Sequence, residues 1–289
     1  MTSYNDLSGQ AGMLLGSSVL KLVKFRRTQE PPNNLYMWNG DYRFLLTNLI
    51  VKDFKIRYRN MSLGVFWSFL NPLVMVGVLT FVFTNFLPTP APDFPVFVLT
   101  GIVTFNFFTL AWMSGTTSIT DNAGLIKRLP VPREILPIAT VLSVFINILF
   151  QIVLLIALTL FFGKGVNLNW LLLPVLWMFL ILFVCGLSFL FGAINVYIRD
   201  ARYVVESTNV VLFWLAPIVY PITMIPPEYR GLYLINPLAG VIEGARLILL
   251  HGAAPSLDIW MKLIAVSLTT LALGMLAFRS LKARFYNYL

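Results

Sequence analysis

Charge is scarce in this sequence: Asp, Glu, Lys and Arg make up 11% of its 289 residues, about half the share of an ordinary soluble domain. Five long stretches, 60–92, 94–120, 135–163, 165–198 and 207–227, contain none of the four, and 263–278 is a shorter sixth. About 20 apolar residues cross the hydrocarbon of a bilayer, so each stretch is a candidate span and the chain reads as an integral membrane protein. Cysteine occurs once, as Cys185 in the fourth stretch, which excludes a disulfide within the chain and leaves a small packing residue. His251 is the sole histidine and argues against a His-based metal site or a catalytic triad within one subunit. No GxxxxGK[ST] occurs; Gly163-Lys164-Gly165 lacks the spacing, so nucleotide phosphates are not cradled by that route. Nor does any ionisable group lie deep in the five long stretches, where proton- and sodium-coupled carriers place carboxylates or histidines. A transporter built this way draws its energy from a partner. A membrane transferase would need an ionisable cluster near one interface, and only Glu243, Arg246 and His251 approach one.

What charge there is carries a sign and a side. With spans at 64–87, 95–117, 135–162, 169–196, 207–223 and 259–278, 17 of the 21 Lys and Arg residues fall on one side. Lys164, Arg230, Arg246 and Lys262 fall on the other. The positive-inside rule puts the richer side, and with it both termini, in the cytoplasm. The net charge of +9 is therefore a topology signal and not a nucleic-acid footprint.

Residues 1–40 read as a cytoplasmic tail that is poorly ordered. Its apolar stretch MLLGSSVLKLV is interrupted by Lys21 and followed by positive charge, unlike a cleaved signal. Residues 41–62 read as an amphipathic helix on the membrane surface, with Phe44, Leu45, Leu49 and Phe54 beside Arg43, Lys52, Lys55, Arg57 and Arg59. The six-span domain covers 63–280, and 281–289 is a short cytoplasmic end. Within 118–134 (SITDNAGLIKRLPVPRE), Asp121 is placed to cap a short helix through Arg128, which Pro130 and Pro132 stop. Between the fifth and sixth spans, 224–250 is apolar yet broken by Pro226, Pro227, Gly231, Pro237 and Gly240. It reads as two short helices dipping back into the outer leaflet, where irregular backbone is tolerated only under cover. In the third span Ser143, Asn147 and Gln151 recur every four residues and share a helix face, as hydrogen-bonding glue or as lining for a passage.

Five fragments in order, RYRNMSLGVFWSFLNPL, NAGLIKRLPVPREILP, YIRDARY, APIVYPITMIP and INPLAGVIEGAR, resemble the permease subunits of ABC-2 exporters of polysaccharides such as O-antigen, capsule and teichoic acid. The resemblance runs from about residue 42 to 280. It implies an all-α, six-span subunit in a bacterial cytoplasmic (inner) membrane, with an interface helix and two re-entrant gate helices. It also implies a homodimer enclosing a channel, driven by two copies of a separate ATPase. ATP and Mg would sit on that ATPase, with no cofactor in this chain. The other partners implied are membrane lipids and a lipid-linked polysaccharide; nucleic acid is not among them. An ABC-2 exporter of a drug or small lipid is the alternative.

The resemblance assigns ATPase coupling to Asn122–Glu134. Leu125, Ile126 and Leu129 would enter a cleft on the ATPase, and Lys127, Arg128 and Arg133 would pair with its acidic rim. A loop whose basic residues merely enforce topology is the plainer reading. Substrates of the family ride on a polyprenyl pyrophosphate, which suits the guanidinium groups of Arg57, Arg59 and Arg199 at the inner headgroup level. Contact with anionic phospholipid accounts for them as well. Phe66, Trp67, Phe69, Phe81, Phe83 and Phe86, with Phe105, Phe107, Phe108, Trp112, Trp214 and Tyr220, offer apolar faces on which sugar rings slide, or else face lipid and pack. Gate positions are Pro226, Tyr229, Asn236, Pro237, Glu243 and Arg246, the last two an i,i+3 ion pair.

Overall fold

In a computed structural model the chain is described over residues 41–59, 64–86, 93–128 and 131–288. The expected tail 1–40, Leu129 and most of the connection 88–94 lie outside the described residues. No strand occurs among those described.

The first helix, α1 (Tyr42–Tyr58), is started by Asp41, whose carboxylate accepts from the backbone N–H of Arg43 at 3.0 Å and Phe44 at 3.2 Å. Five helices are long and apolar enough to cross a membrane: α2 (Phe66–Asn85), α3 (Phe94–Asp121), α5 (Ile135–Phe161), α6 (Leu173–Tyr197) and α10 (Leu257–Leu281). The short α4 (Ala123–Arg128) separates α3 from α5. The predicted fifth span, 207–223, differs from what forms. Helix α7 (Ala201–Leu215) starts six residues earlier and ends at Leu215. At 1.5 Å per residue it is about 22 Å long, short of the roughly 30 Å of hydrocarbon. Pro217 and Pro221 cannot continue it, and 216–221 runs on without helix. Then α8 (Pro227–Tyr233) and α9 (Pro237–His251) form a pair of short helices bent by 107° at the break, within the 224–250 segment where two short helices are expected.

Leu45–Leu289 form one compact unit. Its axis is α3, buried along most of its length because α2, α5, α6, α7 and α9 all pack on it. Peripheral α2 exposes Phe66, Trp67, Val74, Val78 and Phe81. Apolar burial does not drive helix association in lipid, so close contact between small residues matters more. Helix α6 meets α10 at Gly186 and Gly274, and a Cβ on Gly186 would fall 2.6 Å from the Thr270 and Leu271 backbone. Gly186→Val is expected to force these helices apart and cost about 1–3 kcal/mol, read as a lower thermal unfolding midpoint in detergent. The polar face of α5 fastens neighbours: Asn147 Oδ1 accepts from Tyr58 and from Ser68 Oγ (3.0 Å), and Gln151 Oε1 from Asn106 Nδ2 (3.2 Å).

Candidate functional site

At the basic end of the bundle a second apolar cluster gathers Leu49 of α1, Ile119, Ile126 of α4, Leu136, Phe189, Phe278 and Phe285. It fixes α4. Ile126 is only 8% exposed and Leu125 is half-buried against the same cluster, so neither is presented to a partner's cleft. This corrects the expected insertion: the apolar side of so short a helix is used to anchor it. The polar bonds around it have the same effect. Asn122 donates to Ser118 O (2.8 Å) and accepts from Lys52 Nζ (2.6 Å), tying α1 to the end of α3. Its backbone carbonyl accepts from Leu125 and Ile126, so the helix begins at Asn122, and Asp121 closes α3 instead of capping α4.

Beyond α4, Arg133 donates to the Lys282 carbonyl and lies over the Phe285 ring at 5.9 Å. It is thus turned inward and not toward an acidic rim, a second correction. Glu134 pairs with Lys282, and Tyr197 donates to Leu281 O at 2.6 Å. Burial alone would raise the Glu134 pKa. The hydrogen bond from Lys282, the helix backbone and the charges of Lys282 and Arg279 outweigh it and hold the carboxyl below its ordinary 4.5. The pair therefore contributes its full stability above that value and loses it as pH falls through the depressed one. Glu134→Gln is expected to lower stability at pH 7 by under about 1 kcal/mol, read from the unfolding midpoint, a difference that vanishes well below pH 4. Of the described coupling residues, Lys127 and Arg128 alone stay exposed with no side-chain bond to another described residue.

Two polar hollows flank the end of α3 and share Thr117 and Asp121. Arg57 lines one, of about 360 Å³, with Ser114, Asn122 and Thr140. Arg199 lines the other, of about 420 Å³, together with Arg202, which the sequence reading passed over. Arg59 lines neither; it lies on the outer surface of α1 with Lys55.

The aromatic positions divide sharply. Phe66, Trp67, Phe81 and Trp214 are exposed. Phe69 packs edge-on against Phe150, and Tyr220 bonds Tyr233. Phe105, Phe107, Phe108 and Trp112 are buried inside the subunit, where assembly cannot uncover them; Phe108 stacks on Phe183, and the others meet Phe213, Trp177 and Phe191 edge-on. Phe108 and Trp112 are core residues and not open channel lining, while Phe105 keeps one edge on a groove described below.

In the α8–α9 pair, Asn236 caps α9 by accepting from Leu238 N (3.1 Å), with Pro237 at the first helical position. Pro226 precedes α8 and Tyr229 is exposed on it. The expected Glu243–Arg246 ion pair does not form within 4.0 Å. Arg246, 2% exposed, reaches across to backbone: Nη2 donates to Ile218 O (2.7 Å) and Phe97 O (3.1 Å), and Nε to Phe97 O (3.3 Å). Its guanidinium lies 3.4 Å over the Phe97 ring. At i,i+3 the two side chains were neighbours in sequence terms, but two carbonyls meet more guanidinium donors than one partly exposed carboxylate. All four basic residues of the sparse side are bound internally: Lys164 by Asp93 (2.6 Å), Lys262 by Asp258 (2.7 Å), Arg230 by the Ile225 and Thr223 carbonyls, and Arg246 as above.

The described residues form an all-helical membrane domain with five or six candidate spans, a broken helical pair and a short basic helix anchored at one end. Residues 45–250 match the family model described as "ABC-2 type transporter", and the chain belongs to that family. It is 29% identical over 246 residues to the O-antigen export system permease protein RfbA of Myxococcus xanthus, covering 84% of this chain and 95% of that one. An O-antigen export system permease protein RfbA of Klebsiella pneumoniae is also 29% identical over 254 residues, 87% of this chain and 98% of the relative. The polysialic acid transport protein KpsM of Escherichia coli is 26% identical over 244 residues, 80% and 91% respectively.

Proposed function

We propose that this chain is the membrane-spanning permease of an ATP-driven polysaccharide exporter. Similarity across nearly the whole length of relatives that export O-antigen and polysialic acid carries this reading, and favours it over a drug exporter. The chain acts as a homodimer in the bacterial inner membrane with both termini cytoplasmic, and two ATPase subunits bind ATP and Mg at the basic end. The internal engagement of every basic residue on the sparse side supports that orientation, since only the other side presents cations to partners. ATPase closure pushes Lys127 and Arg128; rigid anchoring of α4 to α1 and to the C-terminal turn transmits the push to the spans. Deleting the gene is expected to remove surface polysaccharide and to accumulate lipid-linked glycan in the cytoplasm. Unchanged surface polysaccharide would defeat the reading.

The substrate is lipid-linked through a pyrophosphate, which Arg57 and Arg199 receive in the two hollows at the end of α3; Arg59 contacts lipid headgroups. Charge-assisted bonds of this kind contribute about 1.5–3 kcal/mol, so Arg57→Ala is expected to cut export on the order of tenfold or more. The amount of inserted permease and of assembled complex should hold. Arg59→Ala should do much less, and equal losses of export and complex from Arg57→Ala would assign it to lipid anchoring.

A further inference from the structure

Helices α3 and α7 pack along a seam. On α3, Phe105, Thr109, Met113 and Thr117 recur every four residues and so share a face. On α7, Arg202, Glu206, Asn209 and Phe213 follow at intervals of four, three and four and also share a face. At the basic end the seam opens into the hollow with Arg199, Arg202 and Thr117. Farther along it opens again, as a groove of about 360 Å³ lined by Phe105, Thr109, Met113, Asn209, Phe213 and Trp214, within the size range of small-ligand sites.

The groove is apolar save for Glu206 at its mouth and two groups within it, Asn209 and Thr109. Asn209 is only 5% exposed, yet neither its amide nitrogen nor its amide oxygen has a partner among the described residues. The Thr109 hydroxyl, buried opposite, has none either. Buried amides are normally bonded, and one left bare on both atoms needs an occupant that donates and accepts. An acyl chain does neither. A sugar does both through each hydroxyl, and its C–H faces match the flanking rings: Phe213 lies edge-on to Phe105 (5.2 Å between centroids) and perpendicular to exposed Trp214 (5.4 Å).

We infer that this groove is a sugar-binding subsite, in which the Asn209 amide and Thr109 hydroxyl hydrogen-bond one ring of the polysaccharide in transit while Phe213 and Trp214 pack on its face. The site rests on the polysaccharide-export reading and adds to it a specific polar contact on an otherwise non-selective aromatic path. Glu206, exposed at the mouth, accepts from a neighbouring hydroxyl. The basic hollow below takes the charged end of the substrate, so the seam orders the two ends of one molecule.

Asn209→Leu tests it, because leucine fills similar space without hydrogen bonds. In a strain deleted for the gene and complemented with the variant, surface polysaccharide should fall at least tenfold. The amount of permease–ATPase complex should match wild type, and the unfolding midpoint should hold or rise, since a bare amide has been removed. Thr109→Val should cost export about threefold. Full export by a stabilised Asn209→Leu would make Asn209 a core residue only, and a fall in export matched by a fall in complex would make it a packing residue; either overturns the subsite. Asn209→Cys with Cys185→Ala provides a direct reading. Its labelling by a water-soluble maleimide should slow at least fivefold in complex loaded with lipid-linked polysaccharide extracted from the deletion strain. Labelling indifferent to that glycan, or a disulfide between two copies of the chain at Cys-substituted 209, would overturn the proposal, the latter in favour of a second subunit as occupant. If the deletion itself leaves surface polysaccharide intact, the export reading fails and not the subsite alone.

Discussion

Arg246→Ala is expected to destabilise the subunit by about 3–5 kcal/mol, seen as a large drop in the thermal unfolding midpoint of the purified protein. The guanidinium joins three pieces that no continuous helix connects: α9, the first turn of α3 at Phe97, and the bent, non-helical stretch at Ile218. Ile218 lies outside any helix, so its buried carbonyl has no helical donor to replace Arg246, and an unpaired buried acceptor costs about 1–3 kcal/mol. Loss of the stacked contact on Phe97 contributes on the order of 2 kcal/mol where desolvated, and the emptied space adds to it. Gly101 completes the junction: a Cβ there would fall 2.9 Å from Ile218 Cα, so the stretch seats on α3 only because Gly101 has none. Arg246→Lys should recover little, since an ammonium is a point charge and cannot bond both carbonyls while stacking. Glu243→Gln should change stability far less. Stability equal to wild type in Arg246→Ala would show that the α8–α9 pair is held by apolar packing alone.

The second large effect concerns partner binding and not stability. Reversing Lys127 and Arg128 together to glutamate is expected to abolish copurification of the ATPase, a loss of about 3 kcal/mol or more, on the order of 100-fold. The unfolding midpoint should be unchanged, because both side chains are exposed and bond nothing described within the subunit. Ile126→Ser should behave in the opposite way, lowering the midpoint of the isolated subunit by opening its basic-end cluster. ATPase copurifying at wild-type level with the double reversal would show that coupling runs through another surface.

These two residues also mark how far the sequence could be read. Arg246 stood out in it as a charged group within a broken apolar segment, and the resemblance placed it at the gate. Its partners are 149 and 28 residues away and are backbone carbonyls, which have no residue-type signature. An i,i+3 carboxylate was the visible candidate, and the wrong one. Ile126 shows the converse. An apolar residue on a short basic helix reads equally well as a contact for a partner or as an anchor. The choice depends on whether Leu49, Leu136, Phe189 and Phe285 come together beneath it. Phe108 and Trp112 looked the same in sequence as the exposed Phe66 and Phe81, because hydropathy scores a lipid-facing ring and a packed one alike. Asn209 was missed for a related reason: as the last of the polar residues Glu206, Ser207, Thr208 and Asn209, it carries no pattern that sets it apart.

By itself the sequence determined that the chain is an all-helical membrane protein, where its long spans lie, which side is basic, and that a helical pair breaks between residues 224 and 250. Each of these follows from free energies that act residue by residue: transfer of side chains into hydrocarbon, the cost of placing a charge there, and the inability of proline to continue a helix. Only the tertiary structure decided which aromatic rings are core, that the fifth helix stops at Leu215, that α4 is gripped from both sides, and that one arginine clamps the helical pair. Those outcomes depend on which surfaces of distant helices are brought into contact, and in lipid that choice is made by close fit and hydrogen bonding, which no local run of residues encodes.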